Sequence, residues 1–401
     1  MPQSLSSIQF LRFVAALAVC VHHAHTAVTV HGLMRPASDI VTRMTDVGAA
    51  GVHIFFVISG FIMVYTAFGR PSPDRPTTFF LKRALRIFPI YWVVCVLYLV
   101  AGSAGFIAFD FGLGGLLASL LLLPGSSSLI VGPGWTLTYE LYFYLCFGAV
   151  IVFGRSRSLV ILSLFFAISI ILGSVLNPAH AGLKVMTSHL LVEFIVGGAI
   201  GILYLSSHTI TKPLAQALIL AAIGGFAASV SAIDAIPSAL AWGGPSALLI
   251  IGLVMAEKSG SLPAWIGKAA WLGNSSYLLY LIHTLVFDVA LKFLRTGGAS
   301  AEYGWSMIGL VVAMSVLIAI VMHDHIESPL NAFLARIILK RGEVSERGVG
   351  ISCGQVRGMG RTGTSYGDLP SVAGATTPVP LWTAQAPLTG IKAKVNNKCE
   401  N

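Results

Sequence analysis

The first long apolar stretch of the chain contains an arginine and three histidines, in the segment RFVAALAVCVHHAH at residues 12–25. An ionisable side chain at membrane depth is costly, so it usually faces the protein interior and has a function. Arg12 and His23 are eleven residues apart, so a helix presents both on nearly the same face, about 16–17 Å apart along its axis. We interpret them as a polar track with His23 as a proton acceptor, and expect His22 and His25 to be structural.

A second cationic group lies in the segment FFLKRALRIFPIYW. Arg83 and Arg86 are spaced i, i+3, which places them side by side on a helix. Paired guanidinium groups are suited to bind phosphate oxygens. Simple anchoring of the span at the basic side of the membrane explains the same residues, and the sequence leaves both readings open.

Glu140 in WTLTYELYFY and His53 in GVHIFFVISGF lie at a depth similar to that of His23. A carboxylate beside a histidine fixes its tautomer and makes it a better base. The competing interpretation is a buried pair that only holds helices together. A metal site formed by the histidines is disfavoured, because the sequence offers no sulfur ligand or second carboxylate for it.

The elements that position these residues are membrane spans. The chain of 401 residues is 56% hydrophobic and only 10% charged, whereas soluble domains carry about a quarter charged residues. Windows of about 20 apolar residues occur at 8–30, 47–68, 84–101, 135–153, 157–176, 186–205, 213–231, 238–256, 276–295 and 305–326. The sequence therefore predicts an all-α polytopic membrane bundle of about ten helices, with a short re-entrant or interfacial piece at 113–123 and no cleaved signal peptide.

The distribution of the net charge of +9 predicts the topology. With ten spans and a cytoplasmic N-terminus, the outer side receives few basic residues, namely Arg35, Arg43, Lys184, Lys292 and Arg295. This asymmetry agrees with the positive-inside rule, so we expect both termini in the cytoplasm. The excess of basic residues is thus explained by the membrane topology, and it predicts no nucleic-acid partner.

Two parts of the chain differ in composition. Residues 1–340 are predicted to form the membrane domain, and residues 341–401, rich in Gly, Ser, Thr and Pro, a disordered cytoplasmic tail. The five cysteines form no CxxC pair, so neither a disulfide framework nor a zinc site is predicted.

Taken together, these segments resemble the acyltransferase 3 family of membrane acyltransferases. The resemblance covers roughly residues 5–335 and rests on RFVAALAVCVHH, GVHIFFVISGFIM with Ser59 and Gly60, KRALRIFPIYW, WTLTYELYFY and SSYLLYLIH, which ends in His283. The residues of these segments are most similar to those of the branch that O-acetylates exopolysaccharides such as succinoglycan. Many members carry Asp where this chain has His53.

The resemblance implies an enzyme of the bacterial inner membrane that takes an acyl group, acetyl above all, from cytoplasmic acyl-CoA. Arg83 and Arg86 would hold its phosphates, Arg12 the arm that leads to His23, and a free or lipid-linked glycan hydroxyl would be the acceptor. Glu140 would orient His23 or balance its charge. Supporting roles fall to Ser59, His53, Tyr139, Tyr277 and His283. No bound cofactor is implied, and direct transfer and a covalent acyl-histidine both stay open.

Two other classes compete with the enzyme. A glycan or lipid transporter also uses intramembrane Arg, His and Glu, although the sequence shows no inverted pairing of interrupted spans. A structural subunit of a polysaccharide assembly would make the buried charges dispensable, which their cost argues against.

Overall fold

The computed structural model describes residues 4–35, 37–69, 75–109, 112–124, 129–232 and 235–336. These residues are all-α and contain no β-strand. Within them, ten helical segments are long and apolar enough to cross a membrane, which confirms the predicted polytopic bundle. The boundary predicted at residue 340 and the tail 341–401 lie outside the described residues.

Fourteen α-helices are present in the described part of the chain. In chain order they are α1 (Ser6–Val30), α2 (Asp39–Asp46), α3 (Ala50–Phe68), α4 (Pro76–Ser103), α5 (Leu113–Leu120), α6 (Trp135–Val150), α7 (Arg155–Leu176), α8 (Ala181–Met186), α9 (Leu191–Leu205), α10 (Lys212–Ala232), α11 (Gly244–Lys258), α12 (Ala264–Ala269), α13 (Ser276–Thr296) and α14 (Gly304–Met322). With 8 residues, α5 is about 12 Å long and too short to cross a bilayer. It accounts for the apolar piece at 113–123.

Helices α3 and α9 approach each other closely because glycines line their contact. A Cβ atom at Gly60 would collide with the carbonyl oxygen of Phe194, and one at Gly197 with that of Val57. Small residues allow such contact where lipid tails provide no hydrophobic driving force between helices. Gly60 follows Ser59 directly, so this packing fixes the position of Ser59 along the axis of the bundle.

The start of α1 is held by a carboxylate from α11. Glu257 accepts hydrogen bonds from the backbone N–H of Ser6 at 2.8 Å and of Ser7 at 3.0 Å, and from the Ser7 hydroxyl. These amides lie in the first turn, where a helix has no internal partner for them. The contact fixes α1 within two turns of Arg12.

Helix α4 contains Pro89, which has no N–H to donate to the carbonyl of Leu85, one turn earlier. Nearby, the hydroxyl of Tyr277 on α13 donates to the carbonyl of Ile87 at 3.0 Å. This bond ties α13 to the stretch of α4 that carries Arg86.

The helices differ in how much of their surface other helices cover. In the most apolar window of the span Asp39–Phe68, which contains α3, 61% of residues are buried, against 11% for α7 and 17% for α10. Helices α7 and α10 are therefore peripheral and face lipid, whereas α3 lies inside the bundle, where a polar site can be shielded from the membrane.

Candidate active site

A cavity in the bundle collects the polar residues of five spans. It encloses about 550 Å³ of empty space, counting its open mouth, a size typical of small-molecule sites. The lining residues are Arg12, Val52, Phe55, Phe56, Ile58, Ser59, Arg86, Thr136, Leu137, Glu140, Tyr277 and Tyr280. Five residues that the sequence singled out as site candidates, from α1, α3, α4, α6 and α13, thus meet in one place.

Two guanidinium groups give the cavity its cationic character. Arg12 donates to the side-chain oxygen of Gln9 at 3.0 Å and lies close enough to Arg86 for their charges to repel. Within the described residues, no hydrogen bond or ion pair joins Arg86 to another side chain. Two like charges in a partly enclosed space favour an anionic ligand that satisfies both.

Glu140 supplies the negative charge in the cavity wall. Its Oε1 accepts from the Ser59 hydroxyl at 2.8 Å and from the Tyr144 hydroxyl on the same helix. In the described part of the chain these two hydroxyls are its hydrogen-bond partners. His23 is not among them. Glu140 lies instead in the same cavity wall as Arg12 and Arg86.

The two arginines of α4 occupy different environments. Arg86 lines the cavity, whereas Arg83 is buried and donates to the Thr66 hydroxyl at 2.8 Å. The Arg83 guanidinium also lies over the rings of Phe79 and Tyr144, 5.5 and 5.7 Å from their centroids. Of these two arginines, one thus faces the cavity and the other packs against protein.

His23 pairs with His283, the histidine of the SSYLLYLIH segment. Nδ1 of His23 and Nε2 of His283 are 2.8 Å apart, and the two ring centroids lie 5.1 Å apart with an angle of 5° between the ring planes, so the imidazoles meet edge to edge. His283 is fully buried, and its Nδ1 lies 3.1 Å from the carbonyl oxygen of Leu279. This contact joins α1 to α13 across 260 positions of sequence.

Tyr280 connects the cavity to the histidine pair. Its ring centroid lies 6.1 Å from that of His283, and its hydroxyl is 3.0 Å from the hydroxyl of Thr136 in the cavity wall. The sequence analysis missed Tyr280, although its position three residues before His283 places the two on adjoining faces of one helix. Glu327, beyond the end of α14, also lies close enough for its charge to act on Arg12.

His53 lies on a different face of α3 from the cavity. Its Nδ1 is 2.5 Å from Oε1 of Glu193 on α9, and both side chains are buried. Its ring also meets that of Trp242 edge-on at 5.3 Å. Tyr139, another predicted support, packs against Phe56 and Trp135 and does not line the cavity.

Metal binding has no evident basis among the described residues. No group of three or more His, Cys, Asp or Glu side chains in that part of the chain is arranged to hold a metal ion.

The fold is thus that of a multi-pass, all-α membrane protein. Its cavity, with two arginines in the wall, is suited to an anionic ligand. The chain belongs to the acyltransferase 3 family, whose model, described as an acyltransferase domain, matches residues 5–324. It is therefore a membrane acyltransferase, and the resemblance stated from the motifs is confirmed.

Two curated relatives are similar over most of their length. The exopolysaccharide production protein ExoZ of Rhizobium meliloti (strain 1021) is 32% identical over 292 residues, which are 71% of this chain and 90% of ExoZ. The acyltransferase MdmB of Streptomyces mycarofaciens is 26% identical over 373 residues, which are 83% of this chain and 93% of MdmB. No solved structure matches.

Proposed function

We propose that the protein is an O-acyltransferase that moves an acetyl group from cytoplasmic acetyl-CoA to a hydroxyl of a cell-surface glycan or exopolysaccharide. The observation that carries the proposal is the cavity in which Arg12 and Arg86 converge. Arg12 lies on the same helix as His23. The name of the relative ExoZ, an exopolysaccharide production protein, supports the class of acceptor.

The donor end of the site is the pair of arginines in the cavity wall, Arg12 and Arg86. Arginine forks bind phosphate oxygens with two parallel hydrogen bonds, and acyl-CoA carries several phosphates. The partners of Arg83 are already within the protein, so the geometry favours Arg12 and Arg86 as the groups that contact the donor, with Arg83 supporting α4. Glu140 was predicted to orient His23 or balance its charge; its place in the cavity wall supports a different role, in which it balances the charge of Arg12 and Arg86.

The reacting end is His23, about 16–17 Å further along α1 than Arg12. The pantetheine arm of the donor would follow this face and bring the thioester to the imidazole. His23 accepts the proton of the acceptor hydroxyl as the oxygen attacks the carbonyl carbon. The C–O bond formed in this attack gives a tetrahedral intermediate. Its collapse breaks the C–S bond and expels the thiolate, which receives the same proton from His23.

The negative charge that develops on the carbonyl oxygen needs a donor. Ser59, Tyr139 and Tyr277 are the supporting residues that can donate a hydrogen bond. Two of them already have acceptors, since Ser59 donates to Glu140 and Tyr277 donates to Ile87. Tyr139 has no acceptor among the described residues, and a rotation of its side chain would be required to reach the cavity.

The orientation follows from charge. We assign the protein to the bacterial inner membrane with both termini in the cytoplasm, because the loops placed there carry most of the lysines and arginines. This places the donor on the cytoplasmic side and the glycan acceptor on the outer side or on a lipid carrier in the membrane.

The test is acetyl-CoA consumption by the purified protein in nanodiscs, with and without a candidate glycan. We expect thioester loss that depends on the glycan and that falls about 10²–10⁴-fold in His23→Ala, the range typical of a lost general base. His31→Ala, at the far end of the same helix, is the matched control and should retain the full rate. Thermal melting checks that all three proteins are folded.

Either of two outcomes contradicts the proposal. Equal rates in wild type and His23→Ala would remove His23 from the mechanism. An absence of consumption with every glycan, by folded protein, would favour transport of a glycan or lipid, with the buried charges serving proton coupling.

A further inference from the structure

His283 is a second histidine at the reacting end whose role the family resemblance does not specify. It is 0% exposed and lies on α13, where its ring meets that of His23 edge to edge and its ring centroid lies 5.6 Å from that of Phe287. A neutral imidazole has one N–H donor and one acceptor nitrogen, and the protein around it decides which is which.

The hydrogen bonds of His283 fix that choice. The Leu279 carbonyl oxygen, 3.1 Å from Nδ1, is only an acceptor, so Nδ1 of His283 carries the hydrogen. Leu279 precedes His283 by one turn of the same helix, so no other part of the bundle has to move for this contact to form. Nε2 of a neutral His283 is then an acceptor.

The same argument extends to His23. Its Nδ1 lies 2.8 Å from this acceptor nitrogen, a distance that requires a hydrogen between the two atoms. The hydrogen must belong to His23, so Nδ1 of His23 is the donor and Nε2 keeps its lone pair. A charged His283 would reverse the order, but full burial beside aromatic rings makes that charge costly.

We propose that His283 is a positioning residue that holds His23 as the Nδ1–H tautomer and aims the lone pair of Nε2 at the acceptor hydroxyl. The inference rests on the proposed function and adds the identity of the base nitrogen. When Nε2 takes the hydroxyl proton, His23 becomes an imidazolium whose Nδ1–H still donates to the neutral His283. The proton then leaves from Nε2 to the departing sulfur, so the pair returns to its starting state after each turnover.

This arrangement differs from the common pairing of a histidine with a carboxylate. A neutral imidazole orients its partner without placing a negative charge among buried apolar groups, where an unpaired charge is expensive. Glu140, the carboxylate predicted for this role, already accepts from Ser59 and Tyr144. His283 is therefore the group that the contacts place behind His23.

Two variants of His283 distinguish the need for a hydrogen-bond acceptor from the need for a side chain of similar volume. Glutamine extends an amide oxygen to about the position of Nε2 and preserves an acceptor for His23, whereas phenylalanine fills the space and offers none. We expect His283→Phe to lower kcat about 10–100-fold, the cost typical of losing a group that orients a reacting histidine. The KM for acetyl-CoA should change less than about twofold, because the donor is held at the arginines, and His283→Gln should recover most of kcat.

The tautomer itself is measured by ¹⁵N NMR of histidine-labelled protein in nanodiscs, with the His23 signals assigned by their loss in His23→Ala. We expect Nδ1 of His23 protonated and Nε2 unprotonated in wild type, and this preference reduced in His283→Phe. A wild-type His23 with its hydrogen on Nε2 would overturn the inference whatever the activity. So would a His283→Phe protein, folded by thermal melting, with wild-type kcat.

Failure of the proposed function has a different signature. If the expected tautomer is present and His283→Phe disturbs it, yet wild type consumes no acetyl-CoA with any glycan, then the positioning contact stands and the acyl-transfer proposal is the part that is wrong.

Discussion

Helix α3 presents polar groups on two faces, and the two faces have opposite character. On one face Ser59 lines the cavity and its hydroxyl holds Glu140 beside two arginines. On the other, His53 is buried against Glu193 of α9, at a contact where glycines bring the helices together. The cavity face has space for a ligand, whereas the α9 face has its polar atoms enclosed by protein. Burial of an ionisable group in the membrane therefore does not by itself identify a reacting residue.

His53 and His23 illustrate the same difference. His53 is joined to a carboxylate at 2.5 Å, and both side chains are at most 6% exposed. His23 is joined to a neutral histidine and is only partly buried. A base needs a nitrogen that substrate can reach, and of these two residues His23 meets that condition better.

The largest effect is expected from breaking the α9 face. Glu193→Ala leaves His53 buried without its partner, so the free energy of unfolding should fall by about 3–5 kcal/mol. SDS titration in mixed micelles measures this. Activity per folded molecule should stay close to wild type, because His53 and Glu193 do not line the cavity.

The matched control for that change removes both partners. His53→Leu combined with Glu193→Leu replaces the pair by apolar groups, which is often neutral or stabilising, so the double variant should regain most of the lost stability. A large loss of kcat in a well-folded double variant would show that the α9 face takes part in catalysis and that the distinction between the faces is mistaken.

The arginines of α4 sharpen the comparison on a second helix. Arg86→Gln should raise the KM for acetyl-CoA about tenfold to a hundredfold, since a hydrogen bond to a charged group is worth about 1.5–3 kcal/mol. Arg83→Gln should instead lower the melting temperature and leave KM nearly unchanged, because Arg83 contacts Thr66, Phe79 and Tyr144. Steady-state kinetics and thermal melting on both variants measure the contrast, and the reverse result would exchange their roles.

The smallest effect is expected on the cavity face of α3. Ser59→Ala removes one of two hydrogen bonds to Glu140, a loss of about 0.5–1.5 kcal/mol, so kcat/KM should fall about two- to tenfold. Ser59→Thr keeps the hydroxyl and serves as the control. An unchanged rate in Ser59→Ala would mean that Tyr144 alone suffices to hold the carboxylate.

The features predicted correctly from sequence are those that depend on local pattern. The ten spans follow from apolar length, and the presence of Arg12 and His23 on one helix follows from the first of these spans. The family follows from short segments in a fixed order. Each of these can be read within one stretch of about 20 residues, because a transmembrane helix satisfies its own backbone hydrogen bonds.

Contacts between distant spans were not predictable in the same way. The pairing of His23 with His283 spans 260 positions, and that of His53 with Glu193 spans 140. Helical periodicity gives the direction of each side chain but not which helix stands opposite. The separate environments of Arg83 and Arg86 have the same origin, since their i, i+3 spacing predicts only that they are neighbours.

The contact between Glu257 and the start of α1 has a consequence for biogenesis. The cap of the first helix comes from a residue 251 positions later in the chain, so a nascent chain must insert seven further spans before that carboxylate exists. The next residue, Lys258, donates to the carbonyl oxygens of Tyr204, Ser206 and His208, in the last turn of α9 and directly after it. Two adjacent residues at the end of α11 thus hold the start of α1 and the end of α9. Because α1 carries Arg12, the donor site is completed only after α11 has entered the membrane.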